Sequence, residues 1–117
     1  MRARLWRNRL CQTSMYPPIE FQSSPFDEQI CLDLNRLVDP WFKDHKDVLR
    51  GILNTFSAVN EGFGYPQGLN FLVCPLYYVY FNDDPKMAVQ HTFCSLPGLL
   101  HIVLPLYPLH SKDGEAL

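Results

Sequence analysis

Two short segments of this 117-residue chain carry residue types that suit the stabilisation of charge and the positioning of water. The first places an acid and an arginine three residues apart, at Asp33 and Arg36, and the second places Gln67 between a proline and a glycine. An arginine guanidinium offsets negative charge that develops on a phosphoryl group, and a glutamine amide orients an attacking water. Together the two segments match what phosphoryl transfer to water demands.

Each segment also has an ordinary structural interpretation. An Asp-x-x-Arg pair on a helix is commonly a solvated ion pair worth roughly 0.3 kcal/mol, and Gln-Gly after a proline is commonly a turn. Metal or redox chemistry has less support, because the four cysteines form no C-x-x-C pair and the four histidines are scattered. We therefore expect reduced thiols and no metal or cofactor of the chain's own.

Composition and charge indicate one folded domain over residues 1–117. The chain is 47% hydrophobic with a net charge of −2, which argues against a disordered chain and against a nucleic-acid partner. The apolar run at 69–81 is shorter than the about 20 residues that a membrane span needs. We therefore expect a soluble cytoplasmic protein without a membrane span.

The first nineteen residues contain four arginines and no acid. This composition fits a mitochondrial presequence. It fits equally well a short first helix whose apolar side contains Leu5, Trp6 and Leu10. The sequence leaves these two interpretations open.

Hydrophobic periodicity predicts a helix over 26–38 that carries the acid and the arginine. Its apolar stripe consists of Phe26, Ile30, Leu34, Leu37 and Val38. Asp33 lies at the edge of this stripe, and Arg36 lies one step farther round the helix. Asp39-Pro40 should end the helix, because the residue before a proline is disfavoured in the α conformation.

A second helix is predicted over 44–60, with Asp44 as its N-cap. Its stripe consists of Val48, Leu49, Ile52, Thr55, Phe56 and Val59, with Lys43, Lys46, Asp47, Arg50 and Asn54 outside it. A glycine-containing loop follows, and a third helix should run from Gln67 to about residue 81. A strand over 73–81 is the main competitor, since Val, Tyr and Phe favour strands.

Asn82-Asp83-Asp84-Pro85 is typical of a helix start and predicts a fourth helix from Pro85 to about Leu96. Pro97-Gly98 should stop it, and residues 99–109 should form a short helix or irregular turns. The pattern lacks the alternation of strands, so the predicted fold is all-α, an irregular multi-helix domain.

In their order and spacing the motifs resemble the TBC domain of Rab GTPase-activating proteins. The resemblance depends on Ile30-x-x-Asp33-x-x-Arg36 followed by Gly64-Tyr65-x-Gln67-Gly68-Leu69-Asn70-Phe71. Arg4-Leu5-Trp6 is similar to the opening of that domain, and Cys74-Pro75-Leu76 is similar to the segment after the glutamine loop. The Tyr-x-Gln-Gly-Leu-Asn-Phe stretch is the most specific part.

The resemblance implies a helical domain that docks on a Rab GTPase and completes the active site of its partner in trans, without turnover of its own. It implies that Arg36 is an arginine finger and that Gln67 is a glutamine finger. Asp33 would orient Arg36 or the glutamine loop, and Ile30 would anchor the helix in the core. GTP and Mg²⁺ would belong to the GTPase.

The resemblance further implies that Tyr65 and Gly68 shape the glutamine loop, with Gly68 permitting close backbone approach. It also implies a role in vesicle trafficking, peripheral to endomembranes through the GTPase. Two alternatives remain open: a non-catalytic module that binds a Rab or another protein, and a fragment of a longer TBC protein.

The second alternative arises because domains of this family continue for a second helical half, whereas this chain corresponds to the N-terminal, catalytic half. In a longer domain the apolar residues 99–109 would pack under the following helices. We therefore expect an exposed apolar surface here, through which the chain associates with itself or with a partner.

Overall fold

The computed structural model describes residues 2–11, 19–60 and 62–103, and within these it contains six α-helices and no strand. The helices are α1 (Arg2–Leu10), α2 (Asp27–Asn35), α3 (Pro40–Asp44), α4 (Lys46–Val59), α5 (Leu69–Asp83) and α6 (Ala88–Val103), with a 3-10 turn at Pro85–Met87 before α6. The predicted all-α fold is confirmed. The strand alternative over 73–81 is wrong, because α5 covers those residues.

Helix α5 lies at the centre of the fold, in contact with α1, α2, α4 and α6. Of its five predicted inward residues, Leu69, Val73, Leu76 and Tyr80 are almost completely buried, and Leu72 is half-buried. Each large apolar side chain taken from water contributes about 1.5–3 kcal/mol. The core around α5 therefore fixes where its first turn, which follows Gln67, lies in the molecule.

Helix α2 runs antiparallel to α4 and is held to it at both ends. At its start, Arg50 Nε and Nη2 donate to Asp27 Oδ1 and Oδ2 at 2.8 and 2.7 Å. At its end, Lys46 Nζ donates to Asn35 Oδ1 at 2.9 Å. These contacts, together with the burial of Ile30 in the core, position the residue that directly follows α2, which is Arg36.

The buried stripe predicted for α4 is wrong at two positions, since Val59 is 51% exposed and Asn54 is buried. Asn54 was placed outside the buried stripe of α4, yet its side chain is buried and donates to Asp27 Oδ1 at 2.7 Å while accepting from Ser24 Oγ at 2.6 Å. A buried amide is tolerated when it is hydrogen-bonded. The stripe analysis missed Asn54 because its partners come from another segment of the chain.

The carboxylate of Asp27 gives the fold an acid-sensitive contact. Hydrogen bonds from Arg50 and then Asn54 lower the pKa of Asp27 from 3.8 to about 2. Because the folded-state pKa lies below the unfolded one, this contribution to stability is present above about pH 4 and is lost as the pH falls towards 2. We expect the melting temperature of Asp27→Asn to depend less on pH than that of the wild type across this window.

Glu28→Gln is the matched control, since it removes the neighbouring exposed carboxylate, and it should keep the acid dependence of the wild type. Identical pH profiles for Asp27→Asn and the wild type would contradict a stabilising role for the Asp27–Arg50 pair.

The end of the first of these helices differs from the prediction, because a short additional helix, α3, forms after it. Helix α2 ends at Asn35, so Val38 is not on a buried stripe and is 85% exposed. Asp39 does not end that helix: its side chain accepts from the Trp41 backbone N–H at 2.8 Å and caps α3, with Pro40 in the first position. Proline there costs no hydrogen bond, because the first amides of a helix have no partner within it.

The start of α4 also differs from the sequence prediction. Asp44 is the last residue of α3 rather than an N-cap, and His45 occupies the N-cap position without a side-chain capping bond. The imidazole instead stacks on Trp41 with ring centroids 3.9 Å apart. The packing of this ring therefore determines where α4 begins, whereas capping chemistry alone predicted an N-cap one residue earlier.

Helix α6 continues through Pro97-Gly98, which were predicted to stop it, as far as Val103, the last described residue. Leu96 and Leu100 on either side are buried. A Cβ at Gly98 would overlap the backbone carbonyl of Leu10. Gly98 thus serves the close approach of α1 and α6, and this packing outweighs the local helix-breaking tendency of the pair.

The first helix is present, as one of the two interpretations of the arginine-rich start predicted. Leu10 is buried, and the Trp6 ring packs edge-on to Tyr80 with centroids 6.4 Å apart. Leu5 was placed on the same apolar side but is 57% exposed. Among the described residues, no helix combines the length and the apolar character that a bilayer crossing requires.

An apolar groove of about 340 Å³ lies between α1, α5 and α6. It is lined by Trp6, Arg9, Leu10, Leu72, Pro75, Leu76, Leu99 and Ile102. Of the segment predicted to mediate association, residues 99–103 belong to α6, and residues 104–109 lie outside the described part. Ile102 is 59% exposed at the edge of the groove.

Self-association therefore stays a prediction, and Ile102 is the residue that tests it. We expect Ile102→Asp to lower the apparent mass of the chain in sedimentation velocity at a given concentration, because a charge in the groove opposes its burial. Leu32→Asp, on an exposed position of α2, is the control and should leave the mass unchanged. A wild-type chain that sediments as a monomer at all concentrations would contradict the prediction.

Candidate functional site

A cleft of about 140 Å³ lies between the end of α2 and the start of α5. It is lined by Asp33, Arg36, Leu37, Gln67, Gly68, Asn70 and Phe71. The arginine and the glutamine that the sequence singled out therefore reach the same cleft, although two helices, α3 and α4, separate them along the chain. Two of their four predicted supporting residues, Asp33 and Gly68, line it with them.

Arg36 is held loosely at the C-terminal end of α2. Its backbone N–H donates to the Asp33 carbonyl at 3.2 Å, whereas its side chain is 74% exposed and reaches Asp33 Oδ1 only at 3.4 Å. An exposed ion pair of this kind contributes about 0–1 kcal/mol. The guanidinium can therefore leave Asp33 for a stronger anion at little cost.

Asp33 connects the helix of the arginine to the loop of the glutamine. Its Oδ1 accepts from Gln29 Nε2 at 3.0 Å as well as from Arg36, and its Oδ2 accepts from the Tyr65 hydroxyl at 2.5 Å. Hydrogen bonds to a charged acceptor are among the stronger ones in proteins. Both contacts that the resemblance offered as alternatives, to Arg36 and to the glutamine loop, are therefore present in the geometry.

Tyr65 fixes the glutamine loop against α2. Burial, followed by the hydrogen bond to the Asp33 carboxylate, raises the pKa of the Tyr65 phenol well above its ordinary value. The phenol consequently stays protonated and keeps donating to Asp33 at any ordinary pH. This contact holds the loop to α2 two residues before Gln67.

Gly68 turns the chain from an exposed residue to a buried one. It occupies the N-cap position of α5 with φ +93°, in the left-handed region that favours glycine. Gln67 before it is exposed, and Leu69 after it is completely buried. The positive φ thus allows Gln67 to stay in the cleft while α5 enters the core.

Ile30, the remaining predicted site residue, does not line the cleft. Its side chain is completely buried, three residues before Asp33 on the inward side of α2. Its location is that of a core residue that fixes the helix behind the cleft.

Four further residues at or beside the cleft were not predicted as functional. Leu37, Asn70 and Phe71 line it, and Gln29 donates to Asp33 one turn away. A sequence signal existed for one of them, since Gln29 and Asp33 are four residues apart on a helix. Leu37 was assigned to the apolar stripe of α2, and the early end of that helix brings it to the cleft.

The cleft is small for a small-molecule substrate, because such sites generally enclose about 300–1,000 Å³. It offers one exposed cation, one carboxylate, one exposed amide and an apolar wall. None of the four thiols lines it, and burial raises the pKa of the Cys74 thiol to about 11. Among the described residues no group of histidine, cysteine and acidic side chains is arranged to hold a metal ion. The arrangement suits charge stabilisation and water positioning on the surface of a bound macromolecule.

Comparison with known proteins gives a family match and a similar human protein. A family model described as Rab-GTPase-TBC domain matches residues 5–113. The chain is also similar to the human (Homo sapiens) protein TBC1 domain family member 13, with 31% identity over 87 residues, which are 73% of this chain and 20% of that protein. The chain thus spans about a fifth of the length of this relative. No solved structure matches the chain.

Proposed function

Because this chain belongs to the Rab-GTPase-TBC domain family, we propose that it is a GTPase-activating protein for a Rab-type small GTPase. The chain supplies an arginine and a glutamine in trans, and the partner carries the GTP and Mg²⁺. The observation that supports this function most directly is the shared cleft, which brings Arg36 and Gln67 together at the surface.

The role of Arg36 is to offset negative charge on the γ-phosphoryl group as its bond to the leaving oxygen breaks. The weak contact to Asp33 and the 74% exposure of the side chain support this role. A guanidinium presents a planar fork of donors to phosphoryl oxygens. Its attraction for them grows as negative charge accumulates, so the contact stabilises the transition state more than the ground state.

The role of Gln67 is to orient the water that attacks the γ-phosphorus. Its amide has an oxygen that accepts a hydrogen bond and a nitrogen that donates one, so a single side chain can fix a water between itself and the phosphoryl group. In this role Gln67 replaces the catalytic glutamine of the GTPase itself. Its exposed position before the positive-φ Gly68 supports the assignment.

Asp33 and Tyr65 are positioning residues in this scheme. Their 2.5 Å hydrogen bond joins the two catalytic segments before any partner binds. Prior ordering lowers the entropic cost of assembling two groups around one phosphoryl group. The activity takes place where the GTPase is, which for a membrane-attached GTPase is the cytoplasmic surface of an endomembrane.

Single-turnover GTP hydrolysis by a panel of Rab GTPases, each measured with and without this chain, tests the proposal. We expect accelerated hydrolysis for at least one member of the panel. Binding to GTP-loaded partners without any acceleration would reject the activating function and favour a non-catalytic Rab-binding module. A folded chain that neither binds nor accelerates any member would reject both.

A further inference from the structure

Phe71 is the most exposed aromatic side chain among the described residues, at 72%, and it lines the cleft. We propose that Phe71 contributes more to binding affinity than any other residue of this cleft. Its ring packs against an uncharged, apolar surface beside the nucleotide site of the bound GTPase. This inference rests on the proposed function and adds to it how the partner is recognised.

The position of Phe71 on α5 directs it away from the core. Asn70 before it and Val73 after it are both buried. Phe71 and Gln67 line the same cleft, Gln67 from the loop before Gly68 and Phe71 from the first turn of α5. A partner close enough for Gln67 to act on it must therefore also cover Phe71.

The surface next to Phe71 carries no charge along α5. After Phe71, the exposed residues of α5 are Pro75, Tyr78, Asn82 and, at the end of the helix, Asp83. None of them before Asp83 is charged. From Phe71 to Tyr78 this face extends about 10 Å at 1.5 Å per residue. Along this face of α5 a charged partner surface would lose hydration without an opposite charge to replace it, so the partner surface that covers this face is apolar. The charged residues of the cleft, Arg36 and Asp33, lie on its α2 side.

Tyr78 differs from Phe71 because its ring is already used within the fold. It packs edge-on against Trp41 with centroids 4.9 Å apart and against Phe42 at 6.2 Å. Its exposure is 42%, compared with 72% for Phe71. Phe71 therefore has the larger area left to bury on binding.

The surroundings of Phe71 match those of residues that dominate protein–protein affinity. Such residues are often aromatic or arginine, and they lie near the centre of an interface where bound water is excluded. Here Leu37, Arg36 and Gln67 share the cleft with Phe71. The expected division is that Phe71 determines affinity and Arg36 determines the rate.

The test measures binding and hydrolysis separately for each variant. Each Rab GTPase of the panel is loaded with a non-hydrolysable GTP analogue, and its affinity is measured for the wild type, Phe71→Ala and Phe71→Leu. We expect Phe71→Ala to weaken binding about 30-fold and Phe71→Leu to retain most of the affinity. In single-turnover hydrolysis, Phe71→Ala should raise the half-saturating concentration and leave the maximal rate nearly unchanged.

Leu5→Ala is the matched control, because it removes a 57% exposed apolar side chain that does not line the cleft, and it should bind like the wild type. Alanine favours helices, so Phe71→Ala should also keep the melting temperature. Wild-type affinity in Phe71→Ala would overturn the inference, as would absence of binding by the wild type to the whole panel. Binding without acceleration would reject the proposed function alone, since the effect of Phe71→Ala on affinity would still be measured.

Discussion

We expect Arg36→Ala to lower the rate of GTP hydrolysis stimulated in a Rab partner by about 10³–10⁵-fold, the range attributed to an arginine finger. Its melting temperature stays close to that of the wild type, because the Arg36 side chain is 74% exposed and makes a single ion pair at 3.4 Å. Affinity for the GTP-loaded partner changes much less than the maximal rate, since the arginine acts on charge that develops during the reaction. Single-turnover kinetics at saturating chain concentration measures this loss directly.

Two variants make the result specific. Arg36→Lys should also lose most of the activity, because an ammonium cannot reproduce the planar donor fork of the guanidinium. Arg4→Ala removes an exposed arginine of α1, which does not line the cleft, and it should behave like the wild type. An Arg36→Ala protein that accelerates hydrolysis as fast as the wild type would show that Arg36 is only the surface partner of Asp33.

The second-largest expected effect concerns the water that attacks the γ-phosphorus of GTP. A GTPase partner whose own catalytic glutamine is replaced by alanine should still be accelerated strongly by the wild-type chain, because Gln67 supplies the amide in trans. Gln67→Ala should lower this acceleration about 100-fold or more, as expected for the loss of a preorganised hydrogen-bonding group at the reaction centre. The measurement is single-turnover hydrolysis by the mutant GTPase with each form of the chain.

Gln22→Ala is the control for Gln67→Ala, since it removes an exposed amide from outside the cleft. Gln67→Glu gives a second comparison: it keeps the size of the side chain but replaces the donor with an acceptor and a negative charge near the phosphoryl group. It should be at least as inactive as Gln67→Ala. If the mutant GTPase is not stimulated at all by the wild-type chain, Gln67 is a turn residue and the partner must supply its own glutamine.

The fold class and much of the core could be predicted from the sequence, because both depend on patterns within one element. Apolar residues at helical spacing predict which face is buried, as Ile30 and Leu34 in α2 and Leu69 and Val73 in α5 show. The exposure of Arg36 followed from the same pattern. Local hydrophobicity and helix geometry suffice for such predictions.

Helix boundaries were predicted less well, because they depend on competition between local signals and packing. Pro97-Gly98 is a strong local stop, yet α6 passes through it to Val103 while α1 packs closely over Gly98. Asp39-Pro40 was predicted to end a helix, yet α2 ends at Asn35 and Asp39-Pro40 starts α3. The local energies involved are about 1–3 kcal/mol, which the burial of one or two large side chains offsets.

The sequence by itself determined the residue types that could act on a phosphoryl group, their order along the chain and the helices that carry them. Only the tertiary structure decided that Arg36 and Gln67 line one cleft, that Asp33 and Tyr65 join their segments at 2.5 Å, and that Phe71 stays exposed beside them. The physical reason is that such convergence depends on contacts between segments far apart in the chain. The pairing of Asp27 with Arg50 sets the position of α2, and no periodicity within either helix contains that information.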